Sequence, residues 1–218
     1  MYKEVIFKIE EECIQYLEKA DPVLKKLIHV VGDYHLKLNL DYYESLLTKM
    51  IGQQLSIKAA STIYSRVKEK CQIISPEKVR LISDNELRNC GLSRQKISYI
   101  RDLTEKVLSK DLDLNTLHDE SDKVIIKELT NVKGIGLWTA EMFLIFSLGR
   151  MDIFSHGDAG LKRAIHWLYK DDQHPIDDRI YKWSPYKTIA SLYLWEIVNR
   201  EFITKYNDIN ELYEKYSH

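Results

Sequence analysis

Apolar and polar residues alternate with helical spacing along almost all of this chain. Leu46, Leu47, Met50 and Ile51 share one helix face, as do Ala59, Ala60, Ile63 and Val67, and again Ile97, Ile100, Leu103 and Val107. The pattern predicts helices over 10–19, 23–31, 42–51, 56–67, 84–90, 93–109, 124–129, 137–148, 159–169, 180–183, 185–200 and 209–216, with a short one starting at Ser75-Pro76. Residues suited to starting a helix stand where these begin: Asp21 before Pro22, Asp41, Ser56, Ser75 before Pro76, and Asp158. Ser83 and Glu86 have the spacing of a capping box, and Gly32, Gly91 and Gly149 stand at helix ends. Signals of period two are almost absent. Residues 5–9 alternate weakly, as a short strand or a lead-in, and 33–40, 111–121 and 170–178 read as linkers or loops. The fold class is all-α.

One stretch departs from the amphipathic pattern: LTNVKGIGLWTAEMFLIFSLGRMDIFSHGDAGLKR, residues 129–163. Its helix at 137–148 is apolar all round except for Thr139, Glu141 and Ser147, as a core helix is. It is too short for a membrane span, which takes about 20 residues. Gly134 and Gly136 flank Ile135 just before it, a turn between two helices. The amides opening the second helix lack intrahelical partners and form a natural phosphate site, to which Lys133 adds charge. Downstream, Asp158 opens the helix at 159–169. The residue type suits a cap, and the helix dipole also favours an ionised carboxylate there. A reaction that builds positive charge on a sugar needs such a carboxylate.

The segment KGIGLWTA, with Asp158 22 residues after Gly136, resembles the helix-hairpin-helix DNA glycosylase superfamily. The tryptophan of W-T-A points to its alkylbase branch, the 3-methyladenine DNA glycosylase II type. IGQQLSIKAA (51–60) and WSPYKTIASLYLW (183–195) resemble two further segments of that branch, so the likeness runs from about residue 21 to residue 200. GLSRQK (91–96) is also common there and reads as structural. Ser155-His156 and Lys187-Thr188 depart from the branch's usual residues and bear on substrate range. His156 reads as a surface residue, with a pocket role as the alternative.

The resemblance implies two helical lobes, 33–150 carrying the helix-hairpin-helix and 1–32 plus 151–218 forming the second. Asp158 would be the catalytic carboxylate at a cleft between them. Trp138, Trp195 and Met142 would line the base pocket. Gln53, Gln54, Leu55 and Ser56 would form the loop that enters DNA, with Gln54 or Leu55 as the wedge. Lys133, Gly134, Ile135 and Gly136 would hold a phosphate, and carbonyls near Leu129 and Val132 would be the place for a monovalent cation. Trp138 stands where lyase-type relatives carry a Schiff-base lysine. A monofunctional hydrolase without lyase activity is therefore expected, with no cofactor. No second carboxyl suits a general acid; Glu141 lies on the apolar helix. An alkylated purine already carries positive charge and leaves without protonation, and cation–π attraction to tryptophan adds about 0.5–2 kcal/mol per ring. The expected reaction is excision of 3-methyladenine and 7-methylguanine from double-stranded DNA in base excision repair. The alternatives are another lesion (mismatched adenine, uracil or an oxidised purine) or a non-enzymatic helix-hairpin-helix DNA-binding protein.

Composition changes this picture little. The 218 residues are 44% hydrophobic and carry a net charge of −1, so no global basic signature of a nucleic-acid binder is present. Lys58, Arg94 with Lys96, and Lys162 with Arg163 offer local clusters. Cys13, Cys71 and Cys90 are odd in number and far apart, which suits free thiols and rules out a four-cysteine iron–sulfur cluster within the chain. With no apolar signal core or membrane span, an intracellular monomer is expected, in cytoplasm and nucleoid or in a nucleus.

Overall fold

The computed structural model describes residues 1–170 and 175–216. It divides into two compact units: Met1–Tyr2 with Asn39–Leu148, and Lys3–Leu38 with Gly149–His218. The first unit holds α3 (Tyr42–Gly52), α4 (Ile57–Cys71), α5 (Pro76–Leu81), α6 (Asp84–Asn89), α7 (Arg94–Ser109), a 3-10 turn (Leu117–Asp119), α8 (Asp122–Thr130) and α9 (Leu137–Phe146). The second is built from α1 (Glu12–Ala20), α2 (Pro22–Val31), α10 (Ala159–Leu168), α11 (Ile176–Lys182), α12 (Lys187–Asn199), α13 (Phe202–Lys205) and α14 (Ile209–Tyr216). Strands β1 (Tyr2–Phe7) and β2 (Tyr34–Asn39) pair in a small two-stranded sheet.

The helices begin where the sequence places their caps. Asp21 accepts from the amides of Val23 and Leu24, Asp41 from Glu44, Ser56 from Ala59, and Ser93 from Lys96. Ser83 and Glu86 form a complete capping box. Such caps each hold about 0.5–2 kcal/mol. In the first unit α9 is the core: Thr139 through Ile145 are all buried, and the helix packs on α3 and α8. In the second, α12 packs on α10, α2 and α13.

The second unit also contains a buried carboxylate. Asp21 is 2% exposed, and its Oδ2 accepts from the Tyr169 hydroxyl at 2.8 Å and the Trp183 indole at 3.1 Å. Trp183 itself is fully buried, so the aromatic of WSPY is a packing residue that fastens α11 to the start of α2.

The structure corrects several boundaries. Residues 33–40, expected as a linker, hold β2: Leu36 and Leu38 are buried while His35 and Lys37 are exposed. The alternation is too short to stand out beside helices, and β1 makes it a strand by supplying the partner. Residues 33–38 therefore belong to the second unit rather than with 39–148. Within the loop expected at 170–178, residues 176–178 already belong to α11, and 171–174 lie outside the described residues. Helix α9 ends at Phe146, two residues before the expected Leu148, and α13 has no counterpart in the sequence reading. Among the described residues no helix is long and apolar enough to cross a membrane.

Candidate active site and nucleic-acid face

In the second unit, Asp158 is the N-cap of α10 and is 8% exposed. Its Oδ1 accepts from the Leu161 amide at 2.8 Å and from the Trp195 indole Nε1 at 3.1 Å. Both donors and the helix dipole stabilise negative charge on the carboxylate. The sequence reading gave Trp195 as a pocket wall; its N–H also fixes the orientation of Asp158. Gly160 makes this possible, because a Cβ there would stand 3.0 Å from Asp158 Oδ1 and 3.4 Å from the Trp195 ring. Trp195→Phe keeps an aromatic ring, though a smaller one, and removes the donor. It is expected to lower turnover about tenfold, the typical cost of one hydrogen bond to a charged group, with little change in unfolding temperature.

The linker into Asp158 is braced by Lys187 and Thr188, two of the four residues that depart from the branch pattern. Thr188 Oγ1 donates to the Arg150 carbonyl at 2.7 Å and accepts from the Ile153 amide at 3.0 Å. Lys187 Nζ lies 3.2 Å from Asp152 Oδ2. Thr188 thus holds the linker's backbone, and Lys187 holds its Asp152 side chain. His156 is exposed, with Nδ1 3.9 Å from Asp177 Oδ1 and its ring against Phe154. It is a surface residue, as its loop position suggested.

In the first unit, two segments meet. Gln53 Nε2 donates to the Gly134 carbonyl at 2.8 Å, which ties the 53–56 loop to the glycine hairpin. Gln53 is therefore engaged within the protein. Gln54 stands at the tip of its turn with φ 58°, a left-handed conformation uncommon for a side-chain-bearing residue. Leu55 is 39% exposed, and Ser56 caps α4. In the hairpin Ile135 is buried, Gly134 has φ +82°, and Gly136 is the N-cap of α9 with no side chain to satisfy the amides of the first turn. The carbonyls of Leu129 and Val132 accept from the amides of Val132 and Ile135.

Trp138 is 44% exposed, whereas Met142, four residues on and on the same helix face, is buried at 3%. Glu141 is also buried. The sequence reading missed two exposed apolar residues beside these loops, Ile57 and Leu137. Each sits at the first position of its helix, where periodicity is silent about exposure. Lys58 and Arg94 reach solvent, but Lys96, grouped with Arg94 as a surface cluster, turns inward onto the carbonyls of Ile51 and Gln53. Among the described residues no group of three or more His, Cys, Asp or Glu is placed to hold a metal ion.

A family model described as the HhH-GPD superfamily base excision DNA repair protein matches residues 47–183. The chain belongs to that superfamily. Among its relatives, the DNA-3-methyladenine glycosylase 1 of Schizosaccharomyces pombe is 32% identical over 208 residues, 86% of this chain and 90% of the other. The DNA-3-methyladenine glycosidase of Bacillus halodurans has a similar structure, with a TM-score of 0.87 and 38% identity over 96% of this HhH-GPD chain and 99% of its own. The S. pombe 3-methyladenine DNA glycosylase in complex with abasic DNA superposes with a TM-score of 0.74 and 29% identity, covering 87% of this chain and 97% of that one.

Proposed function

We propose that this HhH-GPD protein is a monofunctional glycosylase that excises alkylated purines, 3-methyladenine and 7-methylguanine, from double-stranded DNA by hydrolysing the N-glycosidic bond. The observation that carries this reading is Asp158, held by the Leu161 amide and the Trp195 indole. The relatives named for 3-methyladenine support the substrate class.

The chemistry follows from the residue types. Cleavage builds an oxocarbenium-like sugar, and a carboxylate already oriented by the protein stabilises it without reorganising. An alkylated purine is cationic and needs no general acid. Trp195, bonded to Asp158, is an aromatic contact for the extruded base; on α9 of the first unit, Met142 lies behind the part-exposed Trp138. Residue 138 is a tryptophan, which supplies no amine for a Schiff base, so water is the attacking group and the phosphodiester chain stays intact. A base inside a duplex must be extruded first. Gln54 or Leu55 fills the gap, with Gln53 and Ser56 shaping that loop, and the hairpin offers a backbone phosphate the first-turn amides of α9, which no side chain caps at Gly136. A monovalent cation on the Leu129 and Val132 carbonyls would strengthen that grip. The enzyme acts as a monomer, and the hydrolysis needs no cofactor.

The test is incubation of the purified protein with methylated duplex DNA, followed by chromatography of the released bases and gel analysis of the strands. Free methylated purines are expected, with strands that break only after alkali. Strand breaks without alkali would refute the hydrolytic mechanism. Inert methylated DNA with release of adenine from mismatches would refute the substrate class.

A further inference from the structure

The GLSRQK segment leads into α7, and one stripe of that helix reaches both of the segments described above. Lys96 Nζ donates to the Ile51 carbonyl at 2.6 Å and to the Gln53 carbonyl at 2.7 Å. Three residues on, the Tyr99 ring lies against Gly134, where a Cβ would stand 2.1 Å from the ring. After three more, Asp102 Oδ2 accepts from the Lys133 amide at 2.9 Å. Lys106 then donates to the Asn131 carbonyl at 2.5 Å and pairs with Asp102 at 3.1 Å. Positions 96, 99, 102 and 106 share one helix face.

The chemistry of each contact suits a rigid link. The end of α3 leaves carbonyls without intrahelical donors, and an ammonium is a charge-assisted donor for two of them at once. Tyr99 packs where only hydrogen stands on Cα, so the hairpin backbone sits directly on the ring. Asp102 accepts a backbone amide, so it fixes the main chain of the hairpin and not merely a side chain.

We propose that α7 is a strut that sets the spacing between the 53–56 loop and the 132–136 hairpin, with Lys96, Tyr99 and Asp102 as its positioning residues. The proposal rests on the reading of both segments as DNA-contacting. A duplex offers its phosphates and its base stack at fixed separation. A loop that fills the stack and a hairpin that grips the backbone must therefore keep a matching separation. The direct bond from Gln53 to Gly134 closes the triangle whose third side is α7. The strut matters for extrusion and has no part in cleavage of the glycosidic bond.

Full-length Lys96→Met and Asp102→Asn variants test this from the two ends. Hydrogen exchange is expected to rise about tenfold at amides of both 53–56 and 132–136 in each variant, because a charge-assisted contact is lost in a linked unit. Amides of α12 should keep wild-type exchange. A variant that loosens only the segment it touches, or neither, overturns the strut. Release of methylated purine supplies the second readout. Release from paired duplex is expected to fall about tenfold, with no change for the same lesion in single-stranded DNA, where extrusion costs least. Equal loss on both substrates, or loss on neither, overturns the positioning role. If wild-type protein releases nothing from any methylated DNA, the glycosylase reading fails, while the exchange data still decide the strut by themselves.

Discussion

Asp158→Asn is expected to bind methylated duplex DNA as wild type does and to release methylated purines about 10²–10³-fold more slowly, in keeping with the loss of one preorganised charge at a developing cation. Asparagine is as good a helix cap as aspartate, so the Leu161 amide keeps its acceptor and α10 keeps its start. It also accepts from the Trp195 indole through its amide oxygen. What disappears is the negative charge alone. Steady-state base release and DNA affinity measured side by side separate the outcomes: turnover lost with affinity retained marks a transition-state contribution. A variant with unchanged turnover would make Asp158 a cap and nothing more. Asp158→Ala is the useful contrast, since it also removes the cap and adds about 1 kcal/mol of instability.

Gly134→Ala is expected to be the most damaging single methyl in the first unit. The added Cβ would meet the Tyr99 ring at 2.1 Å, and the backbone there has φ +82°. Left-handed strain costs about 1–3 kcal/mol for a residue with a side chain, and the clash with the ring comes on top. Moving the hairpin to relieve it pulls on the Gly134 carbonyl that accepts from Gln53. DNA affinity should therefore fall together with stability, affinity by about ten- to a hundredfold for a disturbed phosphate grip at about 1.4 kcal/mol per tenfold. Gly136→Ala is the internal control. It has nothing within 4 Å of an added Cβ and no positive φ, so its stability cost should stay at about 1 kcal/mol, the difference between a glycine and an alanine at a helix N-cap. Thermal unfolding and DNA titration of the pair check this. Equal effects at the two positions would show that the ring contact at Gly134 does not constrain the hairpin.

Much of the architecture is legible along the chain because capping is local. Asp21, Asp41, Ser56, Ser83, Ser93 and Asp158 each accept an amide two or three residues on, so residue type and spacing suffice to place the helix starts. The apolar run of α9 likewise announces a core helix without any partner in view. Strand β2 was missed for the converse reason: six residues of alternation mean little until a second strand pairs with them. Lys96 was misplaced because a lysine after a polar loop looks like a surface cation, and only the orphan carbonyls at the end of α3 draw it inward.

Most of the helices, the glycine hairpin and the aspartate that opens α10 follow from the chain alone, since each depends on interactions within one or two turns; the four-residue α13 does not. The tertiary structure alone decided the partners. Trp195 reaches Asp158 across 37 positions, Lys96 the Gln53 carbonyl across 43, Gln53 the hairpin across 81, and Trp183 the Asp21 carboxylate across 162. No periodicity encodes such pairs. They arise because buried donors and acceptors must find each other once the apolar faces have closed around them.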